Sequence, residues 1–366
     1  MLGSGSASVG ANSDSWWADV VEGSGASVSS NSLAWLADVE GSSASVGSDC
    51  NSWWANVVEG GSASVGADGL AWLADVVVLG GSSASVSADG LAWLADVEGS
   101  SASVGSDCNS WWANIVEGGS ASVGADSLTW LADIEGSSAS VGSDSFAWLA
   151  DVEGGSASVG SNSLTWLADI ESGSASISSY SLTWLADVVV LGGSSASISS
   201  YSFAWLADVE GSGASISSYS FTWLADVEGS SASVGSDGNS WWANVVEGSG
   251  ASVGADSLAW LADIEGSSAS VGSDGNSWWA NVVEGGGASI SSDGLAWLAD
   301  IEGSSASVGS DGNSWGANVV ESSSASISSD GLTGFADVEG HMSQRNSLGR
   351  SKQEGSDDKS HLIINY

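Results

Sequence analysis

Proline is absent from all 366 residues, and no lysine, arginine or histidine occurs before His341. The missing basic side chains exclude several kinds of chemistry. Residues 1–340 offer no general base that titrates near neutrality, no cationic clamp for an oxyanion or phosphate, and no Ser/His or Cys/His pair. Of the 45 acidic residues, 42 lie in this stretch, so it repels nucleic acid and anionic membranes. The expectation is a non-enzymatic chain without a nucleic-acid partner.

Cysteine is scarce too. Cys50 and Cys108 make no disulfide framework. They share a repeat phase three repeats apart, on the order of 14 Å at roughly 4.8 Å per stacked strand, beyond the Cα separation of about 7 Å that a bridge tolerates. Long apolar runs are also missing. The longest, near residues 70–79, is interrupted by Asp75 and is too short for a membrane span. The opening MLGSGSASVG has neither a basic region nor an apolar core, which predicts no secretory signal and leaves the compartment unassigned.

What is present is a repeat. Residues 136–153 read GSSASVGSD followed by SFAWLADVE, and copies of this unit fill the chain to about residue 340. The first Trp of each copy anchors 17 of them, from Trp16 to Trp315, and an eighteenth has Gly334 and Phe335 there. Spacings are 18 or 19 residues, the longer ones accompanying the variant SWWANVVEG, whose additional residue reads as an extra Val. Two spacings of 21 contain the insertion VVVLGG at residues 76–81 and 188–193, which a loop at one coil phase would absorb. Residues 40–56 and 98–114 are identical, the mark of tandem duplication of the coding DNA.

The alternation of β-strands puts Ala139 and Val141 on one face of SASV. The same rule puts Phe146, Trp148, Ala150 and Val152 inward in FAWLADV, and Ala147, Leu149, Asp151 and Glu153 outward. Two short strands per unit, separated by Gly, Ser, Asp and Asn, are what a flattened parallel β-coil requires. The predicted fold is all-β: one parallel β-solenoid of about 18 coils with an 18–19 residue period, over residues 1–340. Small Ala and Val opposite large rings fill a thin core, and no coil can bury that surface alone. A short helix/strand solenoid is the alternative, because Phe146/Leu149 and Trp148/Val152 also fall at helical spacing. Eight residues make a marginal helix, however, and NSWWANVV is aromatic and β-branched. Residues 341–366, polar and without periodicity, read as a flexible tail.

The abundant reactive groups are carboxylates, in three columns: Asp38, Asp75, Asp96, Asp133 and Asp151; Glu40, Glu59, Glu98 and Glu117; and Asp49, Asp68, Asp107, Asp126 and Asp144. Stacked one strand apart, each like-charged pair costs about 1 kcal/mol in bulk water. Asn56, Asn114, Asn244, Asn281 and Asn318 replace the first-column Asp in the SWW copies and dilute the repulsion. Screening salt or bound Ca²⁺ would relieve it further. In period alone the repeat is similar to calcium-binding parallel β-rolls, built from paired GGxGxDxUx motifs. GSSASVGSD lacks their paired glycines and internal Asp, and SFAWLADVE lacks glycine. No cofactor is expected from the residues, with calcium as the one the period would imply.

Under the alternation rule, Leu36, Trp54, Leu73, Leu94, Trp112, Leu131 and Leu149 form an outward apolar stripe longer than a soluble monomer normally shows. They are the candidate self-association residues. The functional expectation is a structural or surface protein that forms homo-oligomers or lateral assemblies. A calcium-dependent binding module, and tandem-repeat DNA translated without a specific function, are the alternatives.

Overall fold

The computed structural model describes residues 5–11, 21–30, 38–48, 56–58, 61–67, 76–77, 83–88, 93–94, 97–106, 112–149, 151–167, 169–185, 188–190, 195–206, 208–240, 243–258, 261–277, 280–295, 300–344, 352–354 and 359–363. Among these the secondary structure is all strand, with no helix. The chain divides into two units, Met1–Tyr180 and Ser181–Tyr366, and nine of the eighteen repeat copies anchor in each. Both units are parallel β-solenoids of stacked coils.

In the first unit the SASV segments form one column. Ser6–Ala11 pairs with Gly25–Ser30, which pairs with Ser43–Ser48, then Ser62–Ala67, then Ser83–Ala88, all parallel and in register. Val97–Ser106, Trp112–Leu149 and Val152–Leu167 continue the stack. Identical residues sit over one another, as in Ala139 over Ala157 and Trp148 over Trp166. The 21-residue spacing does not disturb this order: Ala63 pairs with Ala84, and Val57 with Val76. Most of the insertion lies outside the described residues, as do both cysteines.

In the second unit Ser195–Leu206, Gly213–Glu228, Ser231–Ser240, Ala243–Leu258, Leu261–Ser277, Ala280–Leu295 and Asp300–Gln344 stack in the same way. The register locates the extra residue of the SWW copies. Ser236 pairs 19 residues ahead with Ala255, but Asn239 pairs 18 ahead with Ser257, so the additional residue is taken up in the turn before the tryptophans. The same shift recurs between Ser273 and Asn276. The extra residue is therefore not the second Val. In consequence Trp112, the second Trp of its copy, pairs with Trp93, the single Trp of the copy before it.

Inside each coil the buried positions depart from simple alternation. Ala157, Val159, Leu164, Leu167 and Ile170 are all buried, as are Ala175, Ile177, Leu182, Leu185 and Val188 one coil later. Ala157 and Val159 obey the period of two. Leu164, Leu167 and Ile170 are three apart, and a straight strand would send such residues to alternating faces. The backbone must turn between them, so LTWLADI wraps around the core instead of crossing it.

The corners have local chemical causes. Ser143 Oγ lies 3.1 Å from the Ser145 carbonyl and accepts from the Ser145 amide at 3.2 Å. Ser161, Ser200 and Ser218 make the same bond to the carbonyl two residues on, at 2.9, 3.1 and 3.1 Å. These are serine-fixed turns, repeated at one phase. At the corner before SASV a glycine column takes over. A Cβ on Gly154 would fall on the Gly136 carbonyl oxygen, and one on Gly266 on that of Gly248.

Part of the segment read as a tail is paired. Lys359–Ile363 runs antiparallel to residues 336–339 of the last coil, and Lys352–Glu354 runs antiparallel to Lys359–Ile363.

Candidate interaction surface

Leu164, Leu167 and Ile170 all point inward, so the tryptophan between the two leucines is left on the outside. Trp148 is 38 % exposed and Trp205 39 %, whereas Leu167, the register partner of Leu149, is 1 % exposed. This reverses the assignment drawn from alternation, which put Trp148 in the core and the Leu149 phase at the surface. The alternation argument assumed one straight strand through FAWLADV, and the turn on either side of Trp148 removes that premise.

The outward rings form columns. In the first unit Trp148 and Trp166 stack with centroids 4.8 Å apart and planes within 2°. In the second, Trp184 and Trp205 stack at 4.9 Å and 1°, and Tyr201 and Tyr219 at 4.8 Å and 1°. The 4.8 Å repeat is the strand spacing itself, so the backbone ladder sets the stacking distance. Each pair of this kind contributes roughly 1 kcal/mol beyond the area it hides. The faces of the rings are used on one another, and the outside receives their edges. Tyr180, Tyr201 and Tyr219 extend the exposed aromatic surface, at 64, 49 and 50 % exposure.

Beside the aromatics run the acids. Asp151 and Glu153 are exposed, with carboxyl pKa values raised from the ordinary 3.8 and 4.5. Local desolvation is the first cause for both. For Asp151 the next are Asp133 and Asp169, one coil to either side; for Glu153 they are Glu135 and Glu171. Asp226 and Glu228 are raised for the same reasons, but among the aspartates only Asp208 acts on Asp226. The register explains the difference. On its other side Asp226 pairs with Val245, and Val282 likewise separates Asp263 from Asp300. Asn56 does stand over Asp38, as expected. In these other SWW copies it is a valine that breaks the aspartate column. In the third acidic column Asn162 Nδ2 donates to Asp144 Oδ1 at 3.2 Å.

The sequence-derived candidates fall into two phases. Trp112 belongs to the tryptophan column, through its pairing with Trp93. Leu149 belongs to the buried leucine phase, through Leu167. Leu94 pairs with Ala113, and Leu131 lies within the strand Trp112–Leu149. Leu36, Trp54 and Leu73 lie outside the described residues. The tyrosines were missed, although their recurrence as SSYS at residues 178–181, 199–202 and 217–220 was there to be seen.

No family model, curated protein or solved structure matches this chain. Among the described residues no three His, Cys, Asp or Glu side chains converge as a metal site. None of the described helices, of which there are none, could cross a membrane.

Proposed function

We propose that this chain is a non-enzymatic acidic scaffold that self-associates laterally along its aromatic columns. The observation that carries the reading is the exposure of Trp148 and Trp205 in a repeating position where a soluble monomer would place polar residues. Ring edges at a fixed 4.8 Å repeat suit a partner with the same repeat, and a second copy of the chain supplies one. Area buried per coil is small, but it is multiplied along the column, as in other repeat proteins.

The acid columns set the conditions. Two copies carrying a net charge of −41 each repel at low ionic strength, and at 0.15 M salt the screening length is about 8 Å. Association is therefore salt-promoted. Sedimentation velocity of the full chain across protein and NaCl concentration tests this. Growth with both supports the scaffold reading, and a single species under all salts rejects it.

A further inference from the structure

The two ends of the repeat stack are not alike. At the first coil, Ser6–Ala11 pairs with Gly25–Ser30, and among the described residues no strand lies on its other edge. Its sequence, SASVGA, is that of Ser62–Ala67, which accepts one coil on each side. The first coil is thus built to carry a neighbour that this chain does not provide. At the last coil the edge is taken: residues 336–339 pair antiparallel with Lys359–Ile363, in a stack whose other pairings are parallel.

We propose that Lys359–Ile363 is a strap that closes the last coil against the first coil of a second copy of the chain. This rests on the self-assembly reading but concerns its axial direction. Because the coils are near-copies, a coil from another molecule could add to the last one in the pairing the chain uses internally. Such a head-to-tail contact is heterologous and does not close, so it generates filaments. The strap occupies the same N–H and C=O groups and reverses strand direction, and a parallel coil cannot follow in that column.

The register also gives the strap its selectivity. Lys359 stands opposite Glu339, and His361 opposite Asp337. Opposite charges at directly paired positions favour the pairing. All of the chain's Lys, Arg and His lie in residues 341–366, beside an array that has none. The first coil of a second copy would bring Glu22 to the same column, since Glu22 pairs with Glu40 inside the chain. The strap therefore replaces a like-charged neighbour with an oppositely charged one.

The test uses the full chain. Lys359→Glu with His361→Glu reverses the paired charges, and Leu362→Pro separately removes a backbone donor from the strap. Both variants are expected to elongate into unbranched filaments by electron microscopy and sedimentation, under salt conditions where the wild type does not. Placed in a Trp148→Ser/Trp205→Ser background, the elongation should persist. Variants that sediment like the wild type overturn the strap, and so does elongation that disappears in the tryptophan background, because it was then lateral. A wild type that associates laterally while the strap variants grow no longer leaves the scaffold reading standing and removes only the strap.

Discussion

Trp148 and Trp166 stand one coil apart with parallel rings 4.8 Å from centre to centre, outside a core whose nearest members are Leu164 and Leu167. The largest side chains of the repeat are thus spent on the surface column, and the interior is held by Ala, Val, Ile and Leu. From that division several consequences can be measured.

Leu167→Ala should cost about 2–5 kcal/mol, the usual range for truncating a fully buried leucine. Thr165→Ala, at an exposed position two residues earlier, should be within about 0.5 kcal/mol of neutral. Chemical denaturation, with hydrogen exchange to localise the loss to the altered coil, checks both. Equal costs at the two positions would mean that the faces are wrongly placed.

Ser172 occupies the phase of the corner glycines, opposite Gly154 in the register. Its Oγ is buried without a hydrogen-bond partner. Ser172→Gly restores the column and removes an unsatisfied hydroxyl, and should stabilise by about 1 kcal/mol, less the flexibility that glycine adds to the unfolded chain. Gly154→Ala should act in the opposite direction, because its Cβ would meet the Gly136 carbonyl, at a cost of roughly 1–3 kcal/mol. Thermal denaturation of the two variants should move in opposite senses.

The acid columns make stability depend on pH in a definite direction. Asp151, Glu153, Asp226 and Glu228 hold their protons more tightly in the folded chain than at their ordinary values of 3.8 and 4.5. Their stabilising contribution is complete below those ordinary values and is lost as pH rises through the higher folded ones. Melting temperature should therefore increase on acidification from neutrality to about pH 4. Added NaCl should raise it at neutral pH and matter less once the columns are protonated. A melting temperature that falls over this range would contradict the ladder.

The fold class was legible because period and composition agree: 18 residues, two apolar segments, and turn formers between them. SASV also read correctly, with Ala139 and Val141 buried, as did the outward Asp151 and Glu153. The Trp segment did not. Leu164, Leu167 and Ile170 face inward at intervals of three only because the chain turns at each of them, and neither Pro nor Gly announces a turn inside LTWLADI. The SWW copies misled for a related reason. Counting from the first Trp puts Trp112 with the leucines, whereas the extra residue is absorbed upstream and Trp112 joins Trp93. A residue's face in a coil depends on where the corners fall, and corner position is a tertiary property that a period of two cannot supply.

The central claim is that the outward aromatic columns bring copies of the chain together. Sedimentation velocity of the full chain at neutral pH and moderate salt, against Trp148→Ser/Trp205→Ser, tests it most directly. Both substitutions fall at exposed ring positions, one in each unit, and should leave the coils folded. The account predicts concentration-dependent association of the wild type and a marked loss of it in the variant, with unchanged strand signal by circular dichroism. Association of equal strength in a folded variant would contradict it.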